Sequence, residues 1–284
     1  MKTKVILFVL LATIIIPVQS QNLNIATYNI RLENSGDSLQ GNAWSKRCPI
    51  ICELVRYHDF DIWGTQEVLH NQLLALQKNL PEYNHVGVGR DDGATKGEYA
   101  SIFYKKDRFA NLKSGHFWLS TDTEKPNKGW DAALPRICTW VRLQETGTNR
   151  IFWFFNLHFD HVGVEARRES AKLVLKKIIE MCGTEPVILV GDFNVDQRNE
   201  SYALLQNSGK LFDSYEKAKI RYAQTGTFNG FNPNGNSDSR IDHIFVSSHF
   251  DVVRYGILTD SYRDESSIRL PSDHFPVRAE ARWR

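Results

Sequence analysis

The chain of 284 residues is 42% hydrophobic and contains 7 Trp, 10 Tyr and 16 Phe, which is enough for a large core and argues against a disordered protein. Lys2 and Lys4 account for the formal net charge of +2. The rest of the chain is formally neutral, so its charge gives no signature of nucleic-acid binding, and any anionic ligand must be bound by local features.

The N-terminal segment differs in character from the rest of the chain. Two lysines precede an apolar run from Val5 to Ile16, and the small or neutral residues that follow suit cleavage before Gln21. This pattern predicts a secretory signal peptide over residues 1–20, with an uncleaved anchor as the alternative. We therefore expect an exported protein, periplasmic or extracellular. Its mature part, residues 21–284, is expected to be one domain that acts as a monomer without stable membrane insertion.

Four cysteines in an exported chain permit disulfide bonds. Cys48 and Cys52 lie four residues apart in a predicted helix, which disfavours a bond between them, while Cys138 falls in a predicted strand and Cys182 near a helix end. We interpret all four as buried or structural. A Cys-x-x-Cys pair is missing, so the sequence does not predict a zinc–thiolate site.

The first part of the mature chain alternates strands and helices. Apolar spacing predicts strands over residues 22–30 and 60–68 and helices over 44–57 and 70–79, with a polar loop between Glu33 and Asn42. From residue 82 onward, strand-like runs are separated by turns, which predicts antiparallel pairing of residues 83–88, 99–104, 109–118, 137–143 and 151–158.

The second half returns to a mixed pattern. The clearest amphipathic helix covers residues 163–181, and its basic residues indicate a solvated face rather than a nucleic-acid patch. A short apolar strand follows at 187–190, then a helix around 201–206, a loop over 226–239 and strands at 240–246, 251–257 and 275–283. The simplest packing for this α/β order is two mixed, mostly antiparallel sheets face to face with helices outside.

Polar residues recur at the ends of the apolar strands. One such residue is usually a turn or a cap, but several at strand ends indicate one shared site, because ligands bind beyond the carboxyl ends of strands. The positions are Asn29, Glu67, His158 with Asp160 and His161, Asp192 with Asn194, Asp242 with His243, and Asp273 with His274.

Four acids of this set, Glu67, Asp192, Asp242 and Asp273, constrain its chemistry. Brought together, they would repel one another and raise each other's pKa values unless a cation were bound among them. Oxygen donors without thiolates favour Mg²⁺, Mn²⁺ or Ca²⁺ over Zn²⁺. Because Mg²⁺ takes only one or two protein carboxylates, the other acids are expected to align a water or orient a histidine. His158 and His274 are then candidate donors to a phosphoryl group, with pKa values raised by a neighbouring carboxylate.

These residues also carry a family resemblance. The chain resembles the endonuclease/exonuclease/phosphatase superfamily of deoxyribonuclease I-like enzymes, with motifs in order across nearly all of the mature chain. The motifs are Thr27-Tyr28-Asn29, Gln66-Glu67, Asn156-Leu157-His158, Gly191-Asp192-Phe193-Asn194, Ile241-Asp242-His243 and Ser272-Asp273-His274-Phe275-Pro276-Val277. The resemblance implies a four-layer α-β-β-α sandwich and metal-dependent hydrolysis of a phosphate ester by direct attack of water.

The resemblance also implies roles for the strand-end residues. Glu67 and Asn29 would lie at the metal, with Asp273 nearby, and the ion would be Mg²⁺, with Mn²⁺ as an alternative. Some nucleases of the family carry an acidic residue two positions after the equivalent of Asn29, where this chain has Arg31. That difference weakens a second metal contact.

The remaining residues would act on water and phosphate. By the resemblance, Asp192 aligns or deprotonates the attacking water, and Asn194 orients Asp192 and contacts phosphate. His158 would bind a phosphate oxygen. Asp242 would pair with His274, which would stabilise charge on the pentacovalent transition state.

Three further residues are candidates for substrate binding. His161 falls where several relatives have Asn, and Asp160 lies beside it. Arg136 precedes a predicted strand and is either a phosphate clamp or a member of a surface salt bridge.

The sequence favours an enzyme, with a phosphodiester in nucleic acid or in a smaller molecule as the first-ranked substrate. A phosphomonoesterase acting on sugar or inositol phosphates is the second hypothesis, and a lipid phosphodiesterase is the third. A non-catalytic binding module would be expected to lack one of Glu67, Asp192, Asp242 and His274, and all four are present.

Overall fold

The computed structural model describes residues 22–265 and 267–284, which form two β-sheets packed face to face. The predicted signal segment lies outside these residues. Within the described part of the chain, no helix combines the length and apolar character needed to cross a membrane. All four cysteines are buried, as expected from the sequence, and none of them forms a disulfide bond.

The first sheet joins the N-terminal and C-terminal strands of the described chain. Its seven strands, in spatial order, are β10 (Ile220–Tyr222), β12 (Phe250–Ile257), β15 (Val277–Trp283), β1 (Leu23–Asn29), β2 (Ile62–Gln66), β4 (Ile102–Lys105) and β3 (Tyr83–Val86). The pairs β10–β12 and β1–β2 are parallel and the other pairs are antiparallel.

The second sheet comes from the middle of the chain. Its six strands are β5 (Phe109–Trp118), β6 (Ile137–Glu145), β7 (Ile151–His158), β8 (Val187–Asp192), β11 (Asp242–Val246) and β9 (Phe212–Asp213). Only the β7–β8 pair is parallel among these described strands. A separate hairpin consists of β13 (Tyr262–Asp264) and β14 (Ser267–Arg269).

Helices cover both outer faces and confirm the predicted four-layer sandwich. Helices α2 (Trp44–Tyr57) and α3 (His70–Asn79) cover the first sheet, and α4 (Val164–Cys182) and α5 (Glu200–Gln206) cover the second. Two short helices, α1 (Ser35–Leu39) and α6 (Ser214–Lys217), lie in connecting segments.

Strand β8 illustrates why these layers form. Successive side chains of a strand point to opposite faces, so Ile188 and Val190 pack in the core between the sheets. Val187 and Leu189 pack on the other side, in the apolar cluster that contains residues of α4. All six residues of β8 are buried, which explains the uninterrupted aliphatic run in the sequence.

The structure differs from the sequence-based expectations mainly in short elements. The segment predicted as a polar loop between Glu33 and Asn42 contains α1, whose N-cap Asn34 accepts a hydrogen bond from the backbone N–H of Asp37. Strand β11 begins at Asp242 rather than at residue 240, and β15 begins at Val277 rather than at residue 275. Elements such as β9 and α6 were not predicted because two to four residues are too few to show a periodicity.

The parallel pairs bring the polar strand ends to one edge of the sandwich. Asn29 pairs with Gln66 at the ends of β1 and β2, and His158 pairs with Asp192 at the ends of β7 and β8. Strand β11 runs antiparallel to β8 and starts at this edge, so Asp242 lies opposite Asp192. The topology therefore gathers residues that are far apart in the sequence.

A buried guanidinium holds the loops at this edge. Arg47 of α2 donates to the backbone carbonyls of Ile30 at 2.7 Å and Arg31 at 3.0 Å, just after β1. It also donates to the carbonyls of Asn42 at 2.8 Å and of Pro271 at 3.0 Å, the latter shortly before β15. One side chain thus ties together the loops that follow the first strand and precede the last.

Candidate active site

A cavity of about 440 Å³ opens at the edge where the polar strand ends meet. Its lining includes residues from both sheets and their loops: Arg31, Glu67, Glu98, Leu134, Arg136, His158, His161, Asp192, Asn194, Phe228, Asp273 and His274. Most of the residues that the sequence singled out therefore meet in one cleft.

Asp192 lies at the centre of this cleft. Its Oδ2 accepts a hydrogen bond from Asn29 Nδ2 at 3.0 Å, which bridges the two sheets, and its Oδ1 accepts from the backbone N–H of Asn194 at 2.9 Å. Burial raises the pKa of Asp192, and the neighbouring charge of Asp242 raises it further. A bound cation would lower this pKa again because it stabilises the carboxylate.

His274 is paired with Asp242. The Nδ1 of His274 lies 2.9 Å from Asp242 Oδ2, and its Nε2 lies 3.8 Å from Asp192 Oδ2. Burial lowers the pKa of His274, but the carboxylate of Asp242 outweighs burial and the net pKa lies well above its usual value. The imidazole is therefore a cationic hydrogen-bond donor at neutral pH, as the sequence predicted.

The pKa of His158 is shifted in the opposite direction to that of His274. Burial, together with the positive charges of Arg136 and Arg90, holds the pKa of His158 well below its usual value. The expectation of an imidazolium at His158 is therefore wrong, because burial and the charges of two arginines outweigh the nearby carboxylates. The neutral ring is fixed by Asn194, whose Nδ2 lies 3.1 Å from His158 Nε2 and also donates to the carbonyl of Phe159 at 3.0 Å.

Glu98 is a cavity residue that the sequence analysis missed. Its carboxylate is held by both Nη atoms of Arg90 at 2.7 Å, and its Oε2 lies 3.8 Å from Nδ1 of His158. This places a carboxylate beside the ring nitrogen that faces away from Asn194. Glu98 lies in a loop rather than at a strand end, so the pattern that identified the other acids could not identify it.

Glu67 and Asp273 form an acidic pair that also lines the cleft. Glu67 has a positive φ of 61°, a conformation rare for residues other than glycine, and its Oε1 accepts from Asn29 Nδ2 at 3.0 Å. Burial raises the pKa of Asp273; the negative charge of Glu67 adds to this, and the charges of His274 and Arg31 oppose it. Two carboxylates close enough for the charge of one to raise the pKa of the other are suited to binding a shared cation.

The donor set fits the divalent ion that the family resemblance implies. Glu67 and Asp273 offer carboxylate oxygens, whereas Asn29 presents its NH₂ group to Glu67 and Asp192 and orients both. A second group of possible ligands, Asp192, Asp242 and His274, has donor atoms within 4.8 Å of one another. That group is less suited to a metal, because a protonated His274 bonded to Asp242 has no free lone pair.

Arg136 is buried beside the cleft and uses only part of its hydrogen-bonding capacity within the protein. Nε of Arg136 donates to Asp160 Oδ2 at 3.2 Å, its Nη2 lies 2.9 Å from His161 Nδ1, and its buried Nη1 has no hydrogen-bond partner. Arg136 is thus a buried cation with an unused donor rather than part of a surface salt bridge.

The carboxylate of Asp160 is used within the protein. It accepts from the backbone N–H groups of Ala133, Leu134, Val162 and Gly163 as well as from Arg136. These bonds contribute to holding its pKa far below the usual range despite burial, which raises it. Asp160 therefore organises the loop beside the cleft and is not among the residues that line the cavity.

The fold and the site together define a metal-dependent hydrolase that acts on phosphate esters. The model of the Endonuclease/Exonuclease/phosphatase family matches residues 26–274, and the chain belongs to that family. An endonuclease/exonuclease/phosphatase family protein from Bacteroides thetaiotaomicron is 51% identical, with a TM-score of 0.92 and coverage of 94% of this chain and 99% of that chain.

Two further solved structures are similar to this chain at different levels of sequence identity. The mannosyl-6-phosphatase of Bacteroides thetaiotaomicron VPI-5482 is 52% identical, with a TM-score of 0.90 and coverage of 91% of this chain and 99% of that one. The human Nocturnin catalytic domain has a TM-score of 0.72 at 18% identity, covering 93% of this chain and 94% of that one, and shares the fold.

Proposed function

We propose that this protein is an exported, Mg²⁺-dependent phosphatase that hydrolyses the monoester of a small sugar phosphate. The observation that carries the proposal is one cleft that combines Asp192, the cationic His274 and the acidic pair of Glu67 and Asp273. The 52% identical mannosyl-6-phosphatase supports a sugar phosphate ahead of the diester that the sequence ranked first. The predicted signal segment, residues 1–20, supports export.

Each residue has a defined task in such a reaction. Asp192 aligns the attacking water and takes its proton, because its buried carboxylate has a raised pKa. His274 donates a hydrogen bond to a phosphoryl oxygen as negative charge develops there. The unpartnered Nη1 of Arg136 binds another phosphate oxygen. The amide of Asn194, whose Nδ2 is bonded to His158 and to the Phe159 carbonyl, positions the His158 ring. A divalent ion at Glu67 and Asp273 would offset the charge of the phosphate or of the leaving oxygen.

Phe228 provides an aromatic surface beside His274 on which a sugar leaving group could pack. Phe228 is 51% exposed, packs edge-on against His274 with ring centroids 5.1 Å apart, and forms a β-bridge with it. The backbone N–H of Phe275 donates to the carbonyl of Thr227 at 2.7 Å, which fixes this segment. A rigid, exposed aromatic ring beside a phosphate site can cover the apolar face of a sugar ring.

Replacing Phe228 with Ala is expected to raise KM for hexose 6-phosphate about tenfold with a smaller change in kcat, because the ring contributes to binding rather than to the reaction. Steady-state kinetics measure both constants. Tyr57→Ala, which removes an exposed aromatic ring at the end of α2, is the matched control and should leave both constants unchanged. An unchanged KM in Phe228→Ala would rule out this contact.

The proposed function is tested with a substrate panel in Mg²⁺ or EDTA. The panel contains mannose 6-phosphate, glucose 6-phosphate, inositol phosphates, a bis-aryl phosphate, DNA and sphingomyelin. We expect the highest kcat/KM on a hexose 6-phosphate, loss of turnover in EDTA and recovery when Mg²⁺ is restored in excess. Higher kcat/KM on any of the diesters, or full activity in EDTA, would contradict the proposal.

A further inference from the structure

Arg31 lies among three carboxylates at the metal side of the cleft. Its Nε is 2.8 Å from Asp37 Oδ2 and 3.5 Å from Asp273 Oδ2, and its Nη1 is 3.8 Å from Glu67 Oε2. The same guanidinium therefore faces both members of the acidic pair that could hold a divalent ion. Arg31 also lines the cavity.

The backbone holds Arg31 in this place. Its φ is 58°, in the left-handed region, and its backbone N–H donates to Asn29 Oδ1 at 3.0 Å. The carbonyl of Arg31 accepts from Nη2 of Arg47 and from Nε2 of Gln72, both at 3.0 Å. A conformation that is uncommon for arginine persists because these bonds determine it.

The side chain is also held. Asp37 belongs to α1, and Arg31 donates to both of its oxygens, at 2.8 Å from Nε and at 3.5 Å from Nη2. The short helix that the sequence analysis interpreted as a loop therefore supports this guanidinium. The side chain is 32% exposed, so its charge is only partly screened by water.

We propose that Arg31 is the site's own second cation, which takes the place beside Glu67 and Asp273 that a second divalent ion would need. A guanidinium is always charged, so it repels another cation at every working pH. The acidic pair then retains enough negative charge for one ion. The inference rests on one part of the proposed function, the binding of a divalent ion at Glu67 and Asp273. It can be tested without enzyme activity, because bound ions can be counted on a chain that turns over no substrate.

The test counts Mn²⁺ bound to the purified chain, by isothermal titration and by the electron paramagnetic resonance signal of free Mn²⁺. We expect one Mn²⁺ per wild-type chain. In Arg31→Gln we expect a dissociation constant about fivefold lower, a change that corresponds to the free energy of one partly exposed ion pair. Arg31→Glu, which adds a carboxylate, should bind a second ion. Asp37→Asn, which frees the guanidinium, should change Mn²⁺ affinity less than Arg31→Gln.

The control is Arg254→Gln, which removes an exposed arginine of β12 that pairs with Glu280. It should bind one Mn²⁺ with wild-type affinity. Two ions on the wild-type chain, or Mn²⁺ affinity in Arg31→Gln equal to or weaker than wild type, would overturn the inference. A chain that binds one ion as described but hydrolyses no sugar phosphate would refute the proposed function and leave the role of Arg31 standing.

Discussion

Asp192→Asn is expected to lower kcat about 10³-fold, because an amide of the same size cannot take a proton from the attacking water. The hydrogen bond from the backbone N–H of Asn194 to Oδ1 can remain, so the loop after β8 should keep its shape. The facing amide of Asn29 loses its carboxylate acceptor, which we expect to cost about 1 kcal/mol of unfolding free energy. Steady-state kinetics at saturating substrate and a thermal melt measure the two effects.

A matched control separates this role from a general effect of charge. Asp251→Asn removes a half-buried carboxylate of β12 that pairs with Arg284 away from the cleft residues, and it should leave kcat unchanged. If Asp192→Asn kept more than a tenth of the wild-type kcat while folded, Asp192 would not be the base.

His274→Gln is expected to lower kcat by about 10²-fold to 10³-fold, since it removes a cationic donor from the developing charge on phosphate. Asp242→Asn should act through the same group, because Asp242 raises the pKa of His274 and holds its Nδ1 at 2.9 Å. The double variant should therefore be little worse than His274→Gln alone. Losses in kcat for the two single variants and the double variant form the cycle that measures this coupling.

The control for this cycle is His249→Gln, which alters a histidine beyond β11 whose ring lies 3.1 Å from Ser247 Oγ. It should retain wild-type kcat. Fully additive losses for His274→Gln and Asp242→Asn would show that the two residues act independently, against the paired role argued from their geometry.

The strand-end pattern predicted where the site would form because it depends on topology alone. Asn29 and Asp192 belong to different sheets, yet each ends a strand at the same edge, and the two meet at 3.0 Å. The length of β8 and the burial of its side chains follow from an aliphatic run that a sequence displays directly. Those features require no knowledge of loop conformation.

Loop contacts explain what the sequence could not predict. The nearby carboxylates suggested a charged His158, but Arg90 and Arg136 reach it from loops and favour the neutral ring. Likewise, Asp160 looked free to bind a ligand until the bends at residues 133–134 and 162–163 brought backbone N–H groups to it. Side chains at strand ends can be placed by pattern, whereas their partners depend on how the loops fold back.

The position of Arg47 also bears on how the protein is made. Its bonds to Ile30 and Pro271 join segments more than two hundred residues apart, and β1 lies between β2 and β15 in the finished sheet. Strand β15 follows every other described strand in the chain, so the first sheet and the cleft beside it cannot be completed before β15 has been synthesised. Deleting β15 would remove an inner strand of the first sheet rather than an edge strand. A chain shortened in this way would lack the strand that supports the loops at the cleft.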